Sequence, residues 1–208
     1  ASIHWSAPFL ILVACSFIFA GLIHFVLPDL KPHQQAAEKV PLAARYRTLL
    51  SEAKVLKTFF AYFIFQMGNF AAFSFLGTWL ADDFRFNVGQ VGTAMLILGL
   101  GNVFGSTLGV HLVAKLGRAF SLYAGIAILT VLYVVLAQTK QFSFAEINFF
   151  IMFFITGIVF TLMMSLLQSL SPHSRGTIAS LANSCMYIGQ TAGASAAGLL
   201  YSRFGGFF

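Results

Sequence analysis

The sequence contains six stretches with no Asp, Glu, Lys or Arg, at 6–28, 58–81, 86–114, 119–139, 147–174 and 176–202. Each satisfies the requirement of roughly 20 apolar residues for a helix to cross about 30 Å of hydrocarbon. Hydrophobic residues make up 59% and charged residues 9% of the 208 positions, whereas soluble proteins average about 45–50% and about 25%. The pattern is that of an all-α integral membrane protein with about six transmembrane helices.

Charge placement orients these spans. Lys31, Lys39, Arg45, Arg47, Lys54 and Lys57 separate the first two runs, Lys115 and Arg118 the third from the fourth, and Arg175 the fifth from the sixth. The alternate loops hold only Arg85 and Lys140, with Arg203 at the end. Basic residues concentrate in cytoplasmic loops, so residues 31–57 are expected in the cytoplasm and both chain ends outside. These loops explain the net charge of +6, and no nucleic-acid partner is expected.

Leu12-Val13-Ala14-Cys15 has the look of a lipoprotein cleavage box. No basic residue precedes the apolar run, however, and the run continues past Cys15 to Leu27, so it reads as a membrane span rather than a signal peptide. Cys185 also lies in an apolar run, and the two cysteines suggest packing residues rather than a disulfide framework or a metal-ligand spacing.

The segment GLGNVFGSTLG at 99–109 could be a dinucleotide-binding turn or a helix-packing face. The first needs a preceding strand and an acidic residue about 20 positions on, yet no Asp or Glu occurs between Arg85 and Glu146. Small residues four apart let helices approach closely in lipid. Gly101, Gly105 and Gly109 form such a face, and Gly189 with Gly193 a second. Histidines offer no haem pair, because His4, His33 and His173 fall at run ends or loops, and His24 and His111 lie near the cytoplasmic ends of their runs. No catalytic set, metal cluster or cofactor is expected.

The spans do carry one polar stripe. Tyr62, Gln66, Asn69 and Phe73 follow at steps of four, three and four, which places them on one helix face. Phe149, Phe153, Thr156, Phe160 and Met163 have similar helical spacing in the fifth run. An amide is costly against lipid, so Gln66 and Asn69 should face protein or a watery cavity. The spacing leaves open whether they line that cavity or hydrogen-bond a neighbouring helix.

The loops add a resemblance. Leu112-Val-Ala-Lys-Leu-Gly117-Arg118 resembles the cytoplasmic loop motif of the major facilitator superfamily, with Ala114 where the strong form carries Asp. Ser171-Pro-His-Ser-Arg-Gly176, followed by Asn183 and Gly189-Gln-Thr-Ala-Gly193, looks like the beginning of that family's eleventh helix, and His4-Trp-Ser-Ala-Pro-Phe9 like that of its sixth. Between the first two runs, Leu42, Tyr46, Leu49, Leu50, Ala53 and Leu56 form an apolar helical face interleaved with basic residues. Such a segment can lie on the membrane surface, though the pattern also fits a solvated loop; the family carries a comparable linker between its halves.

The resemblance implies a partial fold holding family helices six to eleven, without helix twelve. Residues 1–28 correspond to helix six, 29–57 to the basic linker and 58–208 to the C-terminal bundle. It further implies a secondary transporter of the inner membrane of a bacterium, most like exporters of drugs or metabolites, coupled to protons or another ion. Its partners would be a small-molecule substrate, the lipid bilayer and the remaining N-terminal half. Family helices seven and ten line the substrate cavity, which points to Tyr62, Gln66, Asn69, Phe73, Phe153, Thr156 and Phe160. Gly101, Gly105, Gly109, Gly117, Arg118, Gly189 and Gly193 would serve helix packing and gating, with the glycine faces turned to the other half. Two other readings are a non-transporting assembly subunit, which leaves the polar stripe unexplained, and a membrane redox protein, which requires a chromophore.

Overall fold

The computed structural model describes residues 7–26, 41–138, 141–171 and 174–204. His4, Trp5, Lys31, His33, Lys39, Lys140, Pro172 and His173, all used above, lie outside the described residues. Among the described residues the chain forms eight α-helices: α1 (Ala7–Val26), α2 (Leu42–Ser51), α3 (Ala53–Ser74), α4 (Leu76–Asp83), α5 (Val88–Leu116), α6 (Arg118–Ala137), α7 (Phe142–Ser169) and α8 (Arg175–Phe204).

The chain divides into two units, Ala1–Pro41 and Leu42–Phe208. In the first, α1 is apolar along its whole length, with Phe9, Phe17, Ile18 and Phe25 among its residues, as a membrane-spanning helix is. The second holds α2 to α8. There α2 is pinned to α8 by a 2.8 Å hydrogen bond between the hydroxyls of Tyr46 and Ser180, and Leu49 is buried. The basic segment continues into the first turns of α3, which carry Lys54 and Lys57.

Among the described residues five segments are long and apolar enough to cross a membrane: Phe9–Val26, Ala53–Asp83, Val88–Leu116, Arg118–Leu136 and Phe144–Ser169. The sixth expected span forms as α8, whose 30 residues extend about 45 Å at 1.5 Å per residue. It falls outside that group because Gly, Ser, Thr, Asn and Gln dilute its apolar character. The crossing at Ala53–Asp83 is interrupted at Phe75, between α3 and α4, where the Ser74 hydroxyl donates back to the Phe70 carbonyl. A side-chain bond of this kind competes with the helical ladder and bends it. At the other turn, Gly117 adopts φ +86° between α5 and α6, a conformation that glycine tolerates and side chains resist. The glycine of the loop motif is therefore required by the backbone.

Glycine contacts build the core of the second unit. A Cβ at Gly101 would meet the Phe150 carbonyl at 2.9 Å, one at Gly105 would overlap the Phe154 backbone, and one at Gly109 would meet Ile158 at 2.7 Å. Both helices advance by four residues together, so α5 and α7 run in the same direction. Gly157 reciprocates, lying against the Asn102 carbonyl and the Ser106 amide. In the same way Gly189 lies against Phe63 and Gly193 against Met67, which makes α8 and α3 a second parallel pair. The expectation that these faces turn to the other half is corrected: each is occupied within this unit, because backbones this close leave no room for another helix.

At the Asp83 end of α4, Trp79, Phe84, Phe86, Phe142 and Phe149 form an aromatic cluster with ring centroids 4.4–6.3 Å apart. Such spacing is typical of edge and tilted aromatic packing. Beside it, Tyr201 of α8 stacks on Phe75 and donates its hydroxyl to Asp82 at 2.9 Å.

Candidate functional site

The seven residues of the expected cavity separate into three places. Tyr62 is fully buried and Gln66 nearly so; the Gln66 amide Nε2 donates to the Tyr62 hydroxyl at 3.2 Å. Gly189 of α8 opens directly onto the Gln66 Cβ, which a Cβ of its own would approach to 3.3 Å. This pair belongs to the packed contact between α3 and α8. Its amide is partnered along its own helix, so the cost of burying it is reduced.

One helical turn further along α3, Asn69 behaves differently. Its Oδ1 accepts from the Tyr133 hydroxyl of α6 at 3.5 Å and from the Thr156 hydroxyl of α7 at 3.4 Å. Both distances exceed the roughly 2.7–2.8 Å usual for O–H···O bonds, so the junction is loose. Phe73 and Phe153 flank it, their ring centroids 5.7 Å apart. These five residues, with Ala72, Leu76, Phe149 and Met152, line a cavity of about 10 Å³, close to the volume that admits one water.

The position along the helices matters. The midpoint of Ala53–Asp83 is residue 68, and that of Phe144–Ser169 lies between 156 and 157. Asn69 and Thr156 therefore sit at the centres of their spans. With its carbonyl engaged by two hydroxyls, the Asn69 amide nitrogen supplies donors. Phe73 is 40% exposed and carries the aromatic wall to the surface of the unit.

Phe160 lies elsewhere. With Arg118, Arg175, Thr161, Met164 and Gln168 it borders an open cleft of about 580 Å³. Among the glycines assigned to packing and gating, five occupy helix contacts within the unit, and Gly117 shapes the turn that presents Arg118. Among the described residues no three His, Cys, Asp or Glu side chains are grouped to hold a metal.

Sequence reading missed Tyr133 and Gly157. Tyr133 is a hydroxyl-bearing ring in an otherwise apolar stretch, a signal that was available. Gly157 has no second glycine four positions away, only Thr161, to mark a face; the approach of α5 reveals its role.

The model of the Major Facilitator Superfamily matches residues 1–194. Over 201 residues the chain is 45% identical to the uncharacterized MFS-type transporter YceJ of Bacillus subtilis (strain 168), an alignment that covers 97% of this chain and 51% of the relative. The chain thus spans about half the length of the curated relative it matches.

Proposed function

The chain belongs to the major facilitator superfamily, and from that premise we propose that the intact protein is a secondary active transporter. It exports small organic molecules by alternating access, driven by protons or another ion. The observation that carries this reading is the junction of Asn69, Tyr133 and Thr156 at mid-span, walled by Phe73 and Phe153. Polar groups at that depth are expensive and mark substrate or ion pathways, and transporter sites lie near the bilayer midplane.

Each residue has a part in this reading. Phe73 and Phe153 offer ring faces to an apolar or cationic substrate, and the Asn69 amide donates to a substrate acceptor. Tyr133 and Thr156 fix the orientation of that amide. Tyr62 and Gln66 support the site by holding α3 against α8. Neither an amide nor a hydroxyl here exchanges a proton at ordinary pH, so the coupling group lies outside this set, in the N-terminal half.

The test is flux by the intact protein in everted vesicles, for several aromatic cations and neutral drugs, with and without an imposed pH gradient. Gradient-driven movement whose substrate preference shifts in Asn69→Ala is the expected result. Absence of driven flux for every compound overturns the exporter reading, and unchanged preference in Asn69→Ala and Thr156→Val overturns the site.

A further inference from the structure

The cleft bordered by Phe160 is unlike the mid-span cavity. It opens at the C-terminal end of α7, where the first residues of α6 and α8 bring Arg118 and Arg175 to one space of about 580 Å³. Among the described residues no Asp or Glu lines it. Two helix N-termini add their partial positive charge, and Gln168 adds an amide donor. Thr161 already donates its hydroxyl to the Gly157 carbonyl at 2.9 Å.

Polarity changes with depth. From Gln168 to Phe160 the cleft descends eight residues of α7, about 12 Å at 1.5 Å per residue, close to one half of the roughly 30 Å hydrocarbon core. Arg118, Arg175, Gln168 and Ser169 border its helix-end side, while Phe160 and Met164 line the deeper part beside the hydroxyls of Thr161 and Ser165. Basic above and uncharged below, with the Phe160 ring and the Met164 chain for apolar contact, matches a phospholipid, with an anionic head and an acyl chain. A soluble anion would use only the upper part.

We propose that this cleft binds an anionic phospholipid, its phosphate held between the Arg118 and Arg175 guanidinium groups and an acyl chain lying along Met164 and Phe160. Guanidinium groups bind phosphate oxygens bidentately, and basic pockets between transmembrane helices on the cytoplasmic side hold anionic headgroups. The proposal rests on the membrane reading alone and is independent of the transported substrate.

Native mass spectrometry of the purified full-length transporter, titrated with phosphatidylglycerol, phosphatidylcholine or inorganic phosphate, tests it. The wild type should retain phosphatidylglycerol in preference to phosphatidylcholine. The double variant Arg118→Gln with Arg175→Gln should bind phosphatidylglycerol about thirtyfold more weakly, the product of two basic contacts near the membrane surface. Arg203→Gln, at the other end of α8, should match the wild type. If the glutamine pair fails to fold, Arg118→Lys with Arg175→Lys keeps both charges and loses the forked geometry, and should bind several-fold more weakly. Equal retention by wild type and whichever pair folds overturns the proposal, as does equal loss in Arg203→Gln. Binding of inorganic phosphate without preference for phosphatidylglycerol overturns the lipid assignment.

Discussion

Gly105 of α5 lies so close to Phe154 of α7 that a Cβ on the glycine would overlap the Phe154 carbonyl. Gly99, six residues earlier on the same helix, has nothing within 4 Å of an added Cβ. The two glycines differ in surroundings and share a helix, which isolates packing from helix propensity.

Gly105→Ala should therefore destabilise the intact protein by about 1–3 kcal/mol, the usual cost of overpacking, and Gly105→Leu should abolish folded yield. Gly99→Ala should be neutral or stabilising, since alanine is the better helix former. Thermal denaturation in detergent, followed by gel filtration with fluorescence detection, reads both. A normal midpoint for Gly105→Ala would mean that α5 and α7 do not meet along this face.

Gln66→Ala removes the donor to the buried Tyr62 hydroxyl. An unpartnered buried group costs about 1–3 kcal/mol, so the thermal midpoint should fall while the order of substrate preference stays intact. Tyr62→Phe in the same background should recover much of the loss. A changed substrate order with unchanged stability would move Gln66 into the substrate site.

Tyr133→Phe deletes one of the two hydroxyls that Asn69 accepts from, and the bond it removes is a long one. Stability should change by less than about 1 kcal/mol, because a weak partially buried hydrogen bond contributes little. The affinity for a substrate with a hydrogen-bond acceptor should fall several-fold, with apolar analogues affected less. Dose-response curves for competing substrates measure the difference; identical shifts for both groups would argue against orientation of the Asn69 amide by Tyr133.

Topology is checked by labelling. With Cys15 and Cys185 replaced, a cysteine at Val88, 90% exposed at the start of α5, should react with an impermeant thiol reagent in whole cells. One at Lys115, in the last turn of α5, should be protected until the membrane is permeabilised. The reverse pattern would invert the orientation inferred from the basic loops.

The sequence by itself determined the spans, their order and their polar and glycine faces. Charge-free runs of helical length and residues repeating every three or four positions are one-dimensional patterns, and a helix turns them into faces whatever its neighbours. The turn at Gly117 and the family's loop motif were legible for the same reason. Which face meets which helix was decided only by the tertiary structure. Gly105 could have met lipid, the other half of the protein or α7, and the sequence contains nothing that ranks these. Tyr62, Gln66 and Asn69 share one face in sequence, yet α8 covers the first two and α6 and α7 receive the third. Arg118 and Arg175 are remote in the chain and meet at one cleft because α6 and α8 begin at the same level. Partner and depth are set by the joint packing of several helices, and a single helix carries no record of that packing.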